Sequence, residues 1–143
     1  MKKLLTIPIF LIFLSLVGCS AVPFIGPVVT GVLTWVEGEA HKYYPYDADV
    51  VYRASKRALD DMGLEITKDE AKSNDGHYLV AGKEDRFKIN VDNVKQDISE
   101  LRLRVNFMGD KDYAELFYTK VDDQLSTIRF NERGEPVFCE DED

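Results

Sequence analysis

His41 is the residue best suited by type to move a proton. It stands at two-residue spacing from Glu39 and Glu37, so on an extended strand the three side chains share a face and a carboxylate–histidine pair is within reach. Nucleophilic catalysis has no other support: there is no Gly-x-Ser-x-Gly, and Cys139 has no histidine near it in sequence. The plainer reading, a polar strand face, is preferred. His77 follows turn residues and reads as exposed. Metal chemistry has less support: there are two histidines, no CxxC and no HExxH. Aligning Gly76 of Ser73-Asn74-Asp75-Gly76 with the glycine of a calcium loop puts Ala71 and Gly82 where carboxylate ligands are needed, so that loop is rejected. The run Glu140 to Asp143 attracts divalent ions only loosely. No catalytic residue, metal site or cofactor is assigned.

Two features could mark recognition instead. Tyr43, Tyr44, Tyr46 and Tyr52 gather around Pro45, and packing with a polar tip is the preferred reading for aromatics at such a corner. The other feature is electrostatic. If residues 95–97 make a tight hairpin, Lys88 lies opposite Arg104 and Asn90 opposite Arg102, with Arg86 beside them. Four cations, Arg86, Lys88, Arg102 and Arg104, then share the wet face of an acidic chain, and like charges placed opposite each other need anions to answer them. Glu37 and Glu39 could supply those anions from within. The functional reading is a docking surface for an anionic partner: lipopolysaccharide phosphate, peptidoglycan carboxylate or an acidic envelope protein.

These residues need elements to hold them. The chain has 143 residues, 45% of them apolar, which suits one domain with its own core. Its formal net charge of −8 argues against nucleic acid as a partner, and two cysteines cannot make a disulfide scaffold. Thr34 to Tyr44 reads as one strand, stopped by Pro45. Asp47 or Asp49 can cap a helix to about Met62, with Val50, Val51, Ala54, Ala58, Leu59 and Met62 as its apolar stripe and Gly63 as its stop. Leu64 to Lys68 and His77 to Lys83 are extended. Phe87, Ile89 and Val91 alternate with polar residues, as do Leu101, Leu103, Val105 and Phe107, which predicts two half-buried antiparallel strands. Asp110 caps a second helix to about Ile128, with Tyr113, Leu116, Phe117, Val121 and Leu125 on its apolar face. The expected fold is α+β, a mainly antiparallel sheet of about five strands in the order β-α-β-β-β-β-α with two helices on one face. The domain spans residues 34–130, and residues 131–143 read as an acidic, solvated, disordered tail.

The beginning of the chain is a different kind of segment. Met1-Lys2-Lys3 precedes an uncharged run from Leu4 to Val17, which as a helix spans about 21 Å, short of the ~30 Å hydrocarbon layer. That is the layout of a secretory signal, here residues 1–18. Leu16-Val17-Gly18-Cys19 resembles a lipobox, which implies cleavage before Cys19 and acylation of its thiol and new amine. Two or more acyl chains anchor stably where one is marginal. Residues 19–33, apolar but broken by Pro23, Gly26, Pro27 and Gly31, read as a tether. Ser20 after the cysteine favours the outer membrane over the inner. Cys139 is then the lone remaining thiol, free or paired with another chain.

Several landmarks recur together: Cys19 with a charge-free stretch after it, Gly38 leading to Tyr44-Pro45, Val51-Tyr52 and Ala54, Leu59, Gly63-Leu64, and Gly109-Asp110. In these the chain resembles a family of short bacterial lipoproteins known only as a domain of unknown function, over roughly residues 19–125. The resemblance implies a lipid-anchored periplasmic module and supplies no catalytic residues. The expectation is a non-catalytic binding or structural lipoprotein facing the periplasm. The alternatives are a small envelope hydrolase using Glu37 or Glu39 with His41, and an assembly subunit using a sheet edge or Cys139.

Overall fold

The computed structural model describes residues 31–131, 133 and 135–138. The expected leader, Cys19 and Cys139 lie outside the described residues. The elements run β1 (Thr34–Val36), β2 (Glu39–Tyr44), α1 (Ala48–Asp61), β3 (Ile66–Ala71), β4 (His77–Ala81), a 3-10 turn (Lys83–Asp85), β5 (Phe87–Lys95), β6 (Ile98–Val105), α2 (Lys111–Ser126), β7 (Ile128–Phe130) and β8 (Pro136–Phe138). Six strands form an antiparallel sheet in the order β1-β2-β6-β5-β4-β3, and β7 with β8 makes a separate hairpin. The fold is α+β as expected, with six strands in the main sheet rather than about five.

The sixth strand comes from the first. Thr34 to Tyr44 is two strands, because Glu37 (φ 49°) and Gly38 (φ 81°) both adopt left-handed backbone and turn the chain between Val36 and Glu39. Two successive positive φ angles make the two-residue turn whose twist suits a hairpin. The alternation of Phe87, Ile89 and Val91 with Leu101, Leu103 and Val105 is realised, and all six are buried. Lys95 pairs with Ile98, so the hairpin closes where expected, with Lys88 opposite Arg104 and Asn90 opposite Arg102.

Helix α1 begins after Asp47, whose side chain makes no cap. The Ala48 N–H, which has no partner within the helix, donates to Asn93 Oδ1 of β5 instead (2.8 Å). It ends as expected at Gly63 (φ +66°), with Gly63 N–H donating to Asp60 O and Leu64 N–H to Leu59 O, the paired bonds of a Schellman stop. Helix α2 is capped by Asp110, whose carboxylate accepts from Tyr113 N–H. The two helices pack on each other and on the sheet. Val51, Ala58, Leu59, Phe117 and Val121 join the sheet residues Phe87, Ile89, Leu101 and Leu103 in one core. Tyr118 reaches from α2 to the sheet, its hydroxyl proton held between Ala40 O (2.7 Å) and Leu101 O (2.8 Å).

Three expectations are corrected by burial. Phe107 does not extend β6: Asn106 (φ 58°) ends the strand and leaves Phe107 93% exposed. Tyr113 and Leu116 lie at the rim of the α2 stripe and stay about half exposed. The stretch expected to be a solvated tail contains β8, whose Phe138 is buried with the Arg57 guanidinium 4.4 Å from its ring centre.

Candidate anion-binding cleft

The expected basic strip divides in two. Arg102 Nη2 donates to Asp92 Oδ2 (2.6 Å), and its Nε lies 3.8 Å from Glu100. Asp92 also accepts from Lys72 Nζ (2.8 Å). Burial by itself raises the Asp92 carboxyl, but the hydrogen bonds and charges of Lys72 and Arg102 outweigh it and hold its pKa below the ordinary value. Arg102 is thus answered within the sheet. Arg104 is partly answered: its Nε lies 3.2 Å from Glu39 Oε1, and Nη2 donates to the Glu37 carbonyl oxygen (3.1 Å). Glu39 pairs by its carboxylate, as expected, whereas Glu37 sits in the turn and contributes backbone.

The remaining cations converge elsewhere. Lys83, Arg86, Lys88 and Arg104, with Glu84, Asn106 and Phe107, line a cleft of about 420 Å³ at the end of the sheet where β5 begins and β6 ends. Lys83, Arg86 and Lys88 are exposed, and among the described residues none of them has a carboxylate at ion-pair distance. Lys88 and Arg104 are cross-strand partners, and the segment from Gly82 to Arg86 turns back over them. That segment is held in shape by Gly82 (φ 81°) and Glu84 (φ 61°). A second cleft of about 690 Å³ shares Lys83, Glu84 and Arg86 and adds Met62, Leu64, Tyr113 and Leu116 from the helical side. Of the four expected cations the structure brings Arg86, Lys88 and Arg104 together on this cleft and leaves Arg102 out of it. Sequence reasoning missed Lys83, which follows a glycine in a connecting turn, and Phe107, whose place in the alternation reads as core.

His41 lies on the open sheet face between two carboxylates, with Nδ1 2.9 Å from Glu100 Oε1 and Nε2 3.8 Å from Glu39 Oε2. Neither cleft includes it. The neighbouring Thr34 hydroxyl donates to the His41 backbone carbonyl (3.3 Å) and not to the ring. The geometry of His41 with Glu100 is that of hydrogen bonding between β2 and β6. His77 is not a loose turn residue: its Nε2 lies 2.7 Å from Asp49, and its ring stacks on Tyr52 at 3.9 Å. The tyrosines do not form one platform. Tyr44 points inward to donate to Asp122, Tyr52 bonds Asp69, and Tyr43 sits on the open face opposite Glu100. Among the described residues no cluster of His, Cys, Asp or Glu could hold a metal ion.

The sequence matches the family described as Protein of unknown function (DUF3568) over residues 2–124. The chain belongs to this family. The match starts within the leader-like segment and includes the whole six-stranded sheet and nearly all of α2. It stops short of β7 and β8. Of the cleft's residues, every one lies inside the matched span. No curated protein matches the chain. Among the described residues no helix is long and apolar enough to cross a membrane.

Proposed function

We propose that the chain is a non-catalytic envelope lipoprotein, held at a membrane by acylated Cys19 and facing the periplasm, that docks an anionic partner in the cleft of Lys83, Arg86, Lys88 and Arg104. The observation that carries the reading is three cations, Lys83, Arg86 and Lys88, without carboxylate partners among the described residues and converging with Arg104 on one cleft of a chain whose net charge is −8. On the open face beside the cleft the cations are answered from within, as Lys72 and Arg102 at Asp92 illustrate. Like charges gathered without an internal counterion repel one another, and an arriving anion relieves that repulsion.

Ser20 after Cys19 supports the outer membrane as the destination. The test has two parts. Mass spectrometry of the N-terminal peptide from native membranes should find acylated Cys19 at the mature N-terminus; an intact leader or a bare thiol sinks the anchor. In cells, crosslinking should capture with wild type partners absent from Arg86→Glu plus Lys88→Glu, and without crosslinker salt should release them. Equal recovery from both proteins sinks the docking role of the cleft.

A further inference from the structure

Phe107 is 93% exposed, walls the same cleft as Lys83, Arg86, Lys88 and Arg104, and is followed by Met108 at 86% exposure. Phe107 stands among four cations and Glu84, while Met108 lines an adjoining cleft with Asp110, Lys111 and Asp112. Two large apolar side chains side by side in water, with cations on the Phe107 side, are costly to leave exposed and match a surface that is apolar within and anionic at its boundary. We infer that this end of the domain docks onto an anionic phospholipid bilayer, Phe107 and Met108 entering the headgroup layer while the cleft cations meet lipid phosphates. The inference rests on the reading of the cleft as an anion site and names its partner.

Three further features favour a bilayer. The base of the loop is closely packed: a Cβ on Gly109 would clash with Gly38 O, so the backbone of Met108 and Gly109 lies against the β1–β2 turn. A loop whose backbone is packed at its base loses less conformational freedom on entering lipid. The domain's overall negative charge does not forbid the approach, because charges beyond about 8 Å are screened at physiological salt and the nearest ones dominate. The reach is sufficient as well. Gly31 N–H donates to Tyr43 O, which puts the described start of the chain at the end of β2 away from Phe107. The segment from Cys19 to Gly31 can extend to about 40 Å, while the six-residue β2 spans about 20 Å.

The test uses the full chain reconstituted in vesicles, so attachment is constant and only the position of the loop is read. Trp35→Phe plus Phe107→Trp leaves one indole at the loop, and Met108→Trp in the same background gives a second reporter. In vesicles containing brominated phosphatidylglycerol, emission should shift to the blue and be quenched. Adding Arg86→Glu and Lys88→Glu should lower the docked fraction about fivefold or more. Equal quenching in brominated phosphatidylcholine overturns the part played by the cations. Indoles that stay in water in both lipids overturn the inference outright. If the same charge reversal still removes crosslinked partners from cells, the cleft serves a soluble anion or an acidic protein, and the anion reading survives alone. If it does not, both fall.

Discussion

Gly38 and Gly109 meet backbone to backbone, so closely that a Cβ on Gly109 would lie 2.4 Å from the Gly38 carbonyl oxygen and one on Gly38 would lie 3.2 Å from Met108 O. Both residues also hold positive φ, +81° and +77°. Gly63 shares the left-handed backbone, but a Cβ there would meet nothing within 4 Å. Gly63→Ala should therefore cost about 1 kcal/mol, the backbone term alone. Gly109→Ala adds a steric clash with main chain and should cost about 3 kcal/mol or more. Urea midpoints of the two variants check the order, and equal losses would deny the close contact.

Lys42 is buried to 8% exposure and its ammonium rests on Asp122, which also accepts from the Tyr44 hydroxyl at 2.9 Å. Burial and the adjacent carboxylate push the Tyr44 pKa far above its ordinary value, so this hydroxyl stays a donor. Removing the anion strands a charge in the interior, whereas removing the cation leaves a half-exposed carboxylate that water can serve. Asp122→Ala should cost about 2 kcal/mol and Lys42→Met less than about 1 kcal/mol. Chemical denaturation of both variants decides it; the reverse order would show that Lys42 reaches water.

The Asp92 carboxyl titrates below its unfolded value. Burial opposes the shift, and the bonds from Lys72 and Arg102 overcome it. A group with a depressed folded pKa adds stability above its unfolded pKa and loses it as pH falls through the folded one. The contribution of Asp92 is thus present in full above about pH 5 and fades below about pH 4. Asp92→Asn should lower stability at pH 7 by about 1–2 kcal/mol, with the gap narrowing towards pH 3. Urea midpoints across that range test the sign; a gap of constant size would mean the loss is one of packing.

Much of this fold was readable because its signals are local. Phe87 to Val91 and Leu101 to Val105 alternate cleanly, and Gly63 sits where a helix must reverse its hand. The cross-strand placing of Lys88 and Arg104 followed from the register alone. Other features depended on neighbours the sequence does not reveal. Val36 continues into Glu37 without a break in polarity, and a glutamate at φ 49° is not a usual turn residue, so the first hairpin reads as one strand. Phe107 keeps the alternation of β6, and only the backbone at Asn106 ejects it. Arg102 looks equivalent to Arg104 until Asp92, two residues past its cross-strand partner Asn90, proves to be its counterion. Phe138 is hidden among acidic residues, and its shelter under Arg53 and Arg57 is a tertiary fact.

The sheet ends on one side in β1, three residues long, and on the other in β3, which slips register between Ile66 and Lys68 and carries Lys68, Asp69 and Glu70. A short rim and a kinked, charged rim are both poor templates for a neighbour's backbone. Pairing of two copies edge to edge into one continuous ribbon is therefore disfavoured at both rims.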